Sequence, residues 1–440
     1  MTDENKNIEN KQEENQNREE CNKKWWEKLL GLKPTYRLLF ICFLLLVFSI
    51  VTIVIFNKKN NANVKDTKYK FTKIGKTKSV YNGLSNGIFD IGDNKYIIFG
   101  VKNKEKNEGK YTTIPFIDKL VHIEIFDYTT KKIKEVTSPI LYQVVDCVQL
   151  KNGNIFFIGK TEDFKNYFAI FDINTFEIKE LGLEKNLIDS TENSLYQLAN
   201  GDVLIYIGRS NKAPYWSDSL YLLDSNNLNF KKVAELKIKR VSYSVIQLND
   251  TDILVVGGAI PSKYYYKEKL LDIELCNIKT TKCKILNAKL SQKKLYPYLF
   301  KDKNGNILIF PSIIDEDKTI DLYDVKSDTL KTVGYIDRYY DYGNEEIEKR
   351  IDNYDKITGI MGANFVQLND GNILITGGYS GISIVITRSD AYIYDISKNK
   401  LMKIDDMGYR RLNHLTKVLN DGNVLFLGFA QKYIQIFTTK

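Results

Sequence analysis

Apolar residues fall into two patterns in this chain: one long unbroken run near the N-terminal end, then many short runs punctuated by Asn, Asp and Gly. The short runs repeat. The clearest copy, residues 365–379, reads FVQLNDGNILITGGY. Its relatives are VQLKNGNIFFIGK (148–160), YQLANGDVLIYIGR (196–209), IQLNDTDILVVGGA (246–259), LFKDKNGNILIFPS (299–312), KVLNDGNVLFLGFA (417–430) and the weaker FDIGDNKYIIFGV (89–101). Their shared turn position falls at Asn94, Gly153, Gly201, Thr251, Gly305, Gly371 and Gly422, at intervals of 48 to 66 residues. An apolar run, an Asn-Gly or Asp-Gly dipeptide and a second apolar run predict a β-hairpin. Those dipeptides suit the positive φ angles of a two-residue type I′ turn.

After each hairpin comes a stretch of variable length and then a third strand, such as FAIFDI (168–173), IDLYDV (320–325) or AYIYDI (391–396). A short turn leads to a fourth strand, as in KLMKI (400–404). Four antiparallel strands, seven times over, predict an all-β fold, a seven-bladed β-propeller over residues 69–440, rather than a sandwich. The seventh unit stops at its third strand, YIQIF (433–437), while a spare strand, YKFTKIG (69–75), precedes the first hairpin. Pairing these two segments would close the ring and leave no raw sheet edge.

The long run is LLFICFLLLVFSIVTIVIF, residues 38–56, without a charge. A helix of that length just spans a hydrocarbon core of roughly 30 Å, so a single transmembrane helix is expected ahead of the propeller. Arg37 and Asn57-Lys58-Lys59 bound it, and Trp25, Trp26 and Tyr36 suit the headgroup level. A buried core helix fits poorly, because nothing else in the chain has helical spacing. A cleaved signal fits poorly too, because no small-x-small site follows Phe56. The division read from sequence is thus a polar tail of disordered composition with a juxtamembrane Trp segment (1–37), the span (38–56), a linker (57–68) and the propeller (69–440, with 69–75 closing the last blade). Lys and Arg are balanced across the span. A signal-anchor of this kind usually leaves its short tail in the cytoplasm, so a cell-membrane protein with an extracytoplasmic propeller is expected.

Composition adds exclusions. The net charge of +9 arises from 64 Lys and Arg against 55 Asp and Glu, interleaved along the chain. A nucleic-acid binder gathers its cations on one element, so no nucleic-acid partner is expected. The five cysteines, with Cys21 and Cys42 beside or within the apolar run, form neither a disulfide scaffold nor a zinc motif. Cys276 and Cys283 fall on the third and fourth strands of one unit, across a short turn. They read either as two buried thiols or as a bridge, and a bridge would favour an oxidising location.

The doublets Gly257-Gly258 and Gly377-Gly378, the pair Tyr394-Asp395, and the spacings Arg240-x-x-Tyr243 and Arg411-x-x-His414 resemble kelch repeats and the related galactose-oxidase-type propellers. The chain departs from that pattern in keeping only two full doublets and in placing Leu401, Leu330 and Cys283 where a fourth-strand Trp is typical. The resemblance implies architecture more than activity. Copper-bearing relatives use two His and two Tyr, whereas this chain has two histidines in all, His122 and His414, and the residue before His414 is Asn413. No metal, no other cofactor and no catalytic residue are therefore expected. His414 reads most simply as a hydrogen-bonded structural residue.

The hairpin turns and the turns between third and fourth strands are short. Every long connection belongs to the other face of the disc, and these loops carry Tyr215, Trp216, Tyr264, Tyr265 and Tyr266. Aromatic side chains bury large area with few rotatable bonds and suit an interface. The same aromatics could equally follow from a Tyr- and Lys-rich composition. The reading from sequence is a membrane-tethered binding module for an unidentified protein or carbohydrate partner on the long-loop face. Arg209, Tyr215, Trp216, Arg240, Tyr243, Tyr264, Tyr265, Tyr266, Arg411 and His414 are the candidate contacts. The alternative is a sugar-modifying, mutarotase-like enzyme with Arg240, Arg411 and Arg209 at the channel mouth.

Overall fold

In the computed structural model the described residues are 68–78, 81–82, 87–102, 121–136, 143–161, 165–181, 193–207, 218–262, 266–311, 318–336, 361–380, 386–428 and 432–439. The expected tail, span and most of the linker (1–67) lie outside them. Among the described residues no helix is long and apolar enough to cross a membrane.

The unit from Thr67 to Lys440 is a seven-bladed β-propeller. Each blade is an antiparallel meander. Blade 3 is typical, with strands Asn193–Gln197, Val203–Ile207, Ser219–Leu223 and Phe230–Glu235 hydrogen-bonded in that order. The innermost strands of the seven blades are Ile88–Asp90, Gln143–Gln149, Asn193–Gln197, Ser244–Gln247, Tyr298–Lys301, Met361–Gln367 and Leu415–Val418. Blades 1 and 6 add the short strands Tyr81–Asn82 and Ile386–Thr387, and blade 4 carries a separate hairpin of Ala259–Pro261 with Tyr266–Lys269.

The last blade takes its outer strand from the other end of the unit. Tyr69–Lys76 pairs antiparallel with Tyr433–Thr439, with Phe71 opposite Phe437 and a register shift between Lys73 and Gly75. Tyr69 stacks on Phe437 at 5.7 Å between ring centroids, and the Thr77 N–H extends the pairing by donating to the Lys432 carbonyl at 2.7 Å.

Burial explains why second and third strands are apolar on both faces. Ile253, Leu254, Val255 and Val256 of blade 4 are all buried because another blade covers each side of the sheet. The core is accordingly seven slabs, one per blade interface. The slab between blades 7 and 1 contains Leu415, Leu425, Leu427 and Ile434 from one and Ile88, Tyr96, Ile98 and Phe126 from the other, so the ring is closed by packing as well as by pairing. Fourth strands mix exposed residues with buried or half-buried ones and carry exposed lysines such as Lys132, Lys134, Lys282 and Lys284, which guard their outer edges.

Two turns recur. In the five copies with Gly at the turn position, that Gly N–H bonds the carbonyl three residues back, as Gly153 does Leu150 at 2.9 Å, and of the turn residues only Gly has positive φ (+86° at Gly153). This is a type I turn closed by a left-handed glycine, not the expected two-residue type I′ turn. Three-residue loops of this kind match strand twist equally well and use the same Asn-Gly dipeptide. Consecutive positive φ angles occur instead at Asp93 and Asn94 of the weakest copy.

The second turn joins third to fourth strands. Asp127, Asp172, Asp224 and Asp324 each accept two backbone N–H bonds through one oxygen, as Asp127 does from Thr129 and Thr130 at 2.9 Å each, and Asn277 does the same without a charge. Asp395 binds Ser397 and Lys398 instead.

These bonds favour the ionised carboxylates. Backbone N–H donors hold Asp127, Asp172, Asp224 and Asp324 below the usual range, and the Lys398 ammonium with the Ser397 hydroxyl takes Asp395 down to about 2. A depressed folded-state pKa adds stability above the ordinary value near 3.8 and forfeits it as pH falls toward 2. Thermal midpoints should therefore drop across that window. Replacing the five aspartates by Asn, as blade 4 already has, should flatten the drop, and an undiminished acid slope in that variant would contradict the assignment.

Candidate functional site

Arg240 and Arg411 occupy equivalent places just ahead of the inner strands of blades 4 and 7, and both are fully buried. Arg240 Nη1 donates to the carbonyls of Gly257 and Asp272, each at 2.9 Å, and Nη2 to Glu274 Oε1 at 2.6 Å. Glu274 also accepts the Lys237 and Ile238 N–H groups at 2.7 and 3.0 Å. Arg411 repeats the scheme with a neutral partner. It donates to the carbonyls of Gly428 and Tyr433 at 2.7 Å each and, through Nε and Nη2, to Gln435 Oε1 at 3.2 and 3.1 Å.

Each guanidinium ties the exit of a second strand to the entry of the third. Both sit at the long-loop end of the disc, inside the blade. Their donors are spent on holding it together.

The same device recurs with other chemistry. In blade 5, Lys294 Nζ bonds the Thr319 carbonyl and hydroxyl at 2.8 and 2.7 Å and lies 3.7 Å from Asp321. In blade 1, Glu124 accepts the Lys78 N–H at 2.9 Å and lies 3.2 Å from His122 Nε2. The glycine doublets serve the neighbouring blade. Gly258 N–H donates to the Lys294 carbonyl and Gly378 N–H to the Arg411 carbonyl, both at 2.8 Å. A Cβ on Gly257 would meet the Lys294 oxygen at 2.5 Å, and one on Gly377 would collide with the Arg411 carbonyl. Only glycine, at φ +70° and +62°, lets the next blade approach this closely.

His414 is fully buried, with Nε2 3.0 Å from Thr376 Oγ1. Burial and the nearby Arg411 charge hold its pKa well below the usual value, so it is neutral. Tyr243 is buried against Tyr206, ring centroids 5.3 Å apart, and burial raises its pKa. Cys276 and Cys283 stand directly opposite on adjacent strands and are joined as a disulfide, with Cα atoms 4.0 Å apart.

Among the described residues the group of potential metal ligands is Glu274 with these two cysteines. It does not fit a metal, because the sulfurs are bonded to each other and Arg240 holds the carboxylate. Copper is no better served, since His122 and His414 sit in different blades with hydrogen-bonded rings. Arg209, Tyr215, Trp216, Tyr264 and Tyr265 lie outside the described residues, and Tyr266 begins the short strand Tyr266–Lys269.

Sequence reasoning passed over two polar features. Asp146 follows a β-bulge in the inner strand of blade 2, and its carboxylate accepts the Cys147 and Leu195 N–H groups at 2.8 Å each, which links blades 2 and 3. Desolvation lifts its pKa to about 6. The second feature is a belt at the hairpin-turn end of the inner strands. Gln149 Nε2 donates to the Asp90 carbonyl (2.6 Å), Gln197 Nε2 to that of Gln149, Lys301 Nζ to Leu248 (3.0 Å) and Gln367 Nε2 to Lys301 (2.9 Å). The Ala199 N–H donates to Gln247 Oε1 at 2.8 Å. Blades 2 to 6 thus each grip the one before. The signal was present in the sequence as a Gln immediately before the hairpin Leu in four copies.

If Arg240 is a blade staple, Arg240→Ala should cost about 3–5 kcal/mol, because it strands a buried carboxylate. Arg411→Ala should cost less, about 1–3 kcal/mol, because Gln435 is neutral. Denaturant midpoints of the two variants test this order. Unshifted midpoints would return both residues to ligand contact.

No protein-family model matches the chain, and no curated protein matches it in sequence. Among solved structures, it is similar in fold to a fungal alcohol oxidase of the AA5 family, in complex with copper, at 17% identity and a TM-score of 0.46. The match covers 67% of this chain and 62% of that one, so this chain spans under two thirds of that protein's length.

Proposed function

We propose that this chain is a non-enzymatic binding module, a kelch-type propeller tethered to the cell membrane by residues 38–56, which takes a protein or glycan partner on its long-loop face. The observation that supports this is an asymmetry of connections. Turns within hairpins and between third and fourth strands are four to six residues long, whereas the connections at the opposite strand ends run from five residues to 25, the longest being 336–360. Loops free to vary on a rigid scaffold are where recognition is usually placed.

The buried state of Arg240, Arg411 and His414 points the same way, since groups inside a blade cannot meet a substrate. The sugar-modifying alternative loses both of its inner guanidinium groups to the blades. The Cys276–Cys283 bridge supports an exported propeller, because disulfides persist in oxidising compartments.

The test is partner capture by the full chain in detergent, compared with a variant carrying Trp216→Ala, Tyr264→Ala, Tyr265→Ala and Tyr266→Ala. Captured partner should fall at least about tenfold, as expected when aromatic anchors are removed. Equal capture by both would overturn the assignment of this face.

A further inference from the structure

A cavity of about 590 Å³ lies at the hairpin-turn end of the inner strands, opposite the proposed docking face. Four inner strands supply its wall, those of blades 3 to 6, through Tyr196, Gln197, Gln247, Lys301 and Gln367, with Ala199 at the rim. Its size falls within the roughly 300–1,000 Å³ of small-molecule sites.

The belt fixes how each amide is turned. Gln197 and Gln367 must present NH₂ to the carbonyls they bond, so their Oε1 atoms are left over. Gln247 must present Oε1 to the Ala199 N–H, so its NH₂ is left over. None of these three remaining groups has a protein partner among the described residues. The wall thus offers two acceptors and a donor around one space, with Phe300 and Tyr196 as aromatic surface. Its charges are one cation, Lys301, and one acid, Asp250, which cancel.

Anionic ligands find no surplus of cations there, and an apolar ligand would leave the amides unsatisfied. Hydroxyl groups, each both donor and acceptor, match what remains. We propose that this cavity is a second binding site, for a neutral polyhydroxylated ligand of saccharide size, independent of the long-loop face.

Calorimetric titration of the full chain, in a zwitterionic detergent free of sugar headgroups, tests this with glucose, maltose, lactose and trehalose, and with gluconate and glucose 6-phosphate as charged controls. At least one neutral sugar should bind with a dissociation constant below about 10 mM. Ala199→Trp, which fills the rim and leaves every belt bond intact, should abolish the heat, and Gln247→Leu should weaken binding about tenfold. Thermal midpoints read in parallel report folding. If the Trp variant fails to fold, the Leu variant decides.

No binding by any neutral sugar, equal binding of the charged controls, or binding indifferent to a folded cavity variant would overturn the proposal. The long-loop variants report on a different surface, so either proposal can fail while the other stands.

Discussion

A ring of sheets is stable only if its last blade meets its first, and here that junction is made by chain segments from opposite ends of the propeller. Tyr69–Lys76 adds itself to Tyr433–Thr439, and the slab of Ile88, Tyr96, Ile98, Leu415, Leu425 and Ile434 forms where the two blades then face each other. Every other slab has two covalently consecutive blades to build it. This one depends on a contact between residues more than 350 positions apart, such as Thr77 with Lys432. Its loss would expose two flat sheet faces and an unpaired edge at once.

Polar residues inside the disc serve that packing. Because each blade covers its neighbour, a buried donor or acceptor must find its partner across a blade or between blades. Arg240 and Arg411 answer this within a blade, and the glutamine belt and the Asp146 carboxylate answer it between blades. Among the described residues the fold therefore consumes most of the groups that look chemically promising. We place function on what this leaves, the loop-bearing face and the polar cavity at the hairpin-turn end.

The blade count and the closing strand were legible because a turn-centred hairpin is a local pattern, and seven copies of it outweigh the weakness of each. The turn geometry was not, since Asn-Gly serves both a type I′ turn and a type I turn closed by glycine. The staples were half legible. Arg240-x-x-Tyr243 stands out along the chain, but its partner Glu274 lies 34 residues further on. Only an alignment of third strands shows Glu124, Glu274, Asp321 and Gln435 at one position, which in the first three lies three residues before the turn residue. Burial then turned Arg240, Arg411, Tyr243 and His414 from candidate contacts into parts of the scaffold. Arg209, Tyr215, Trp216, Tyr264 and Tyr265 lie outside the described residues, so the proposal that they bind rests on loop length and residue type.

Hydrogen exchange followed by mass spectrometry across both ends of the propeller tests ring closure most directly. Closure predicts that amides of Tyr69–Lys76 and Tyr433–Thr439 exchange as slowly as those of an interior strand such as Val203–Ile207, and open together with them. Free exchange across 69–76 while interior strands stay protected would show that the ring is open, and would contradict the account built on it.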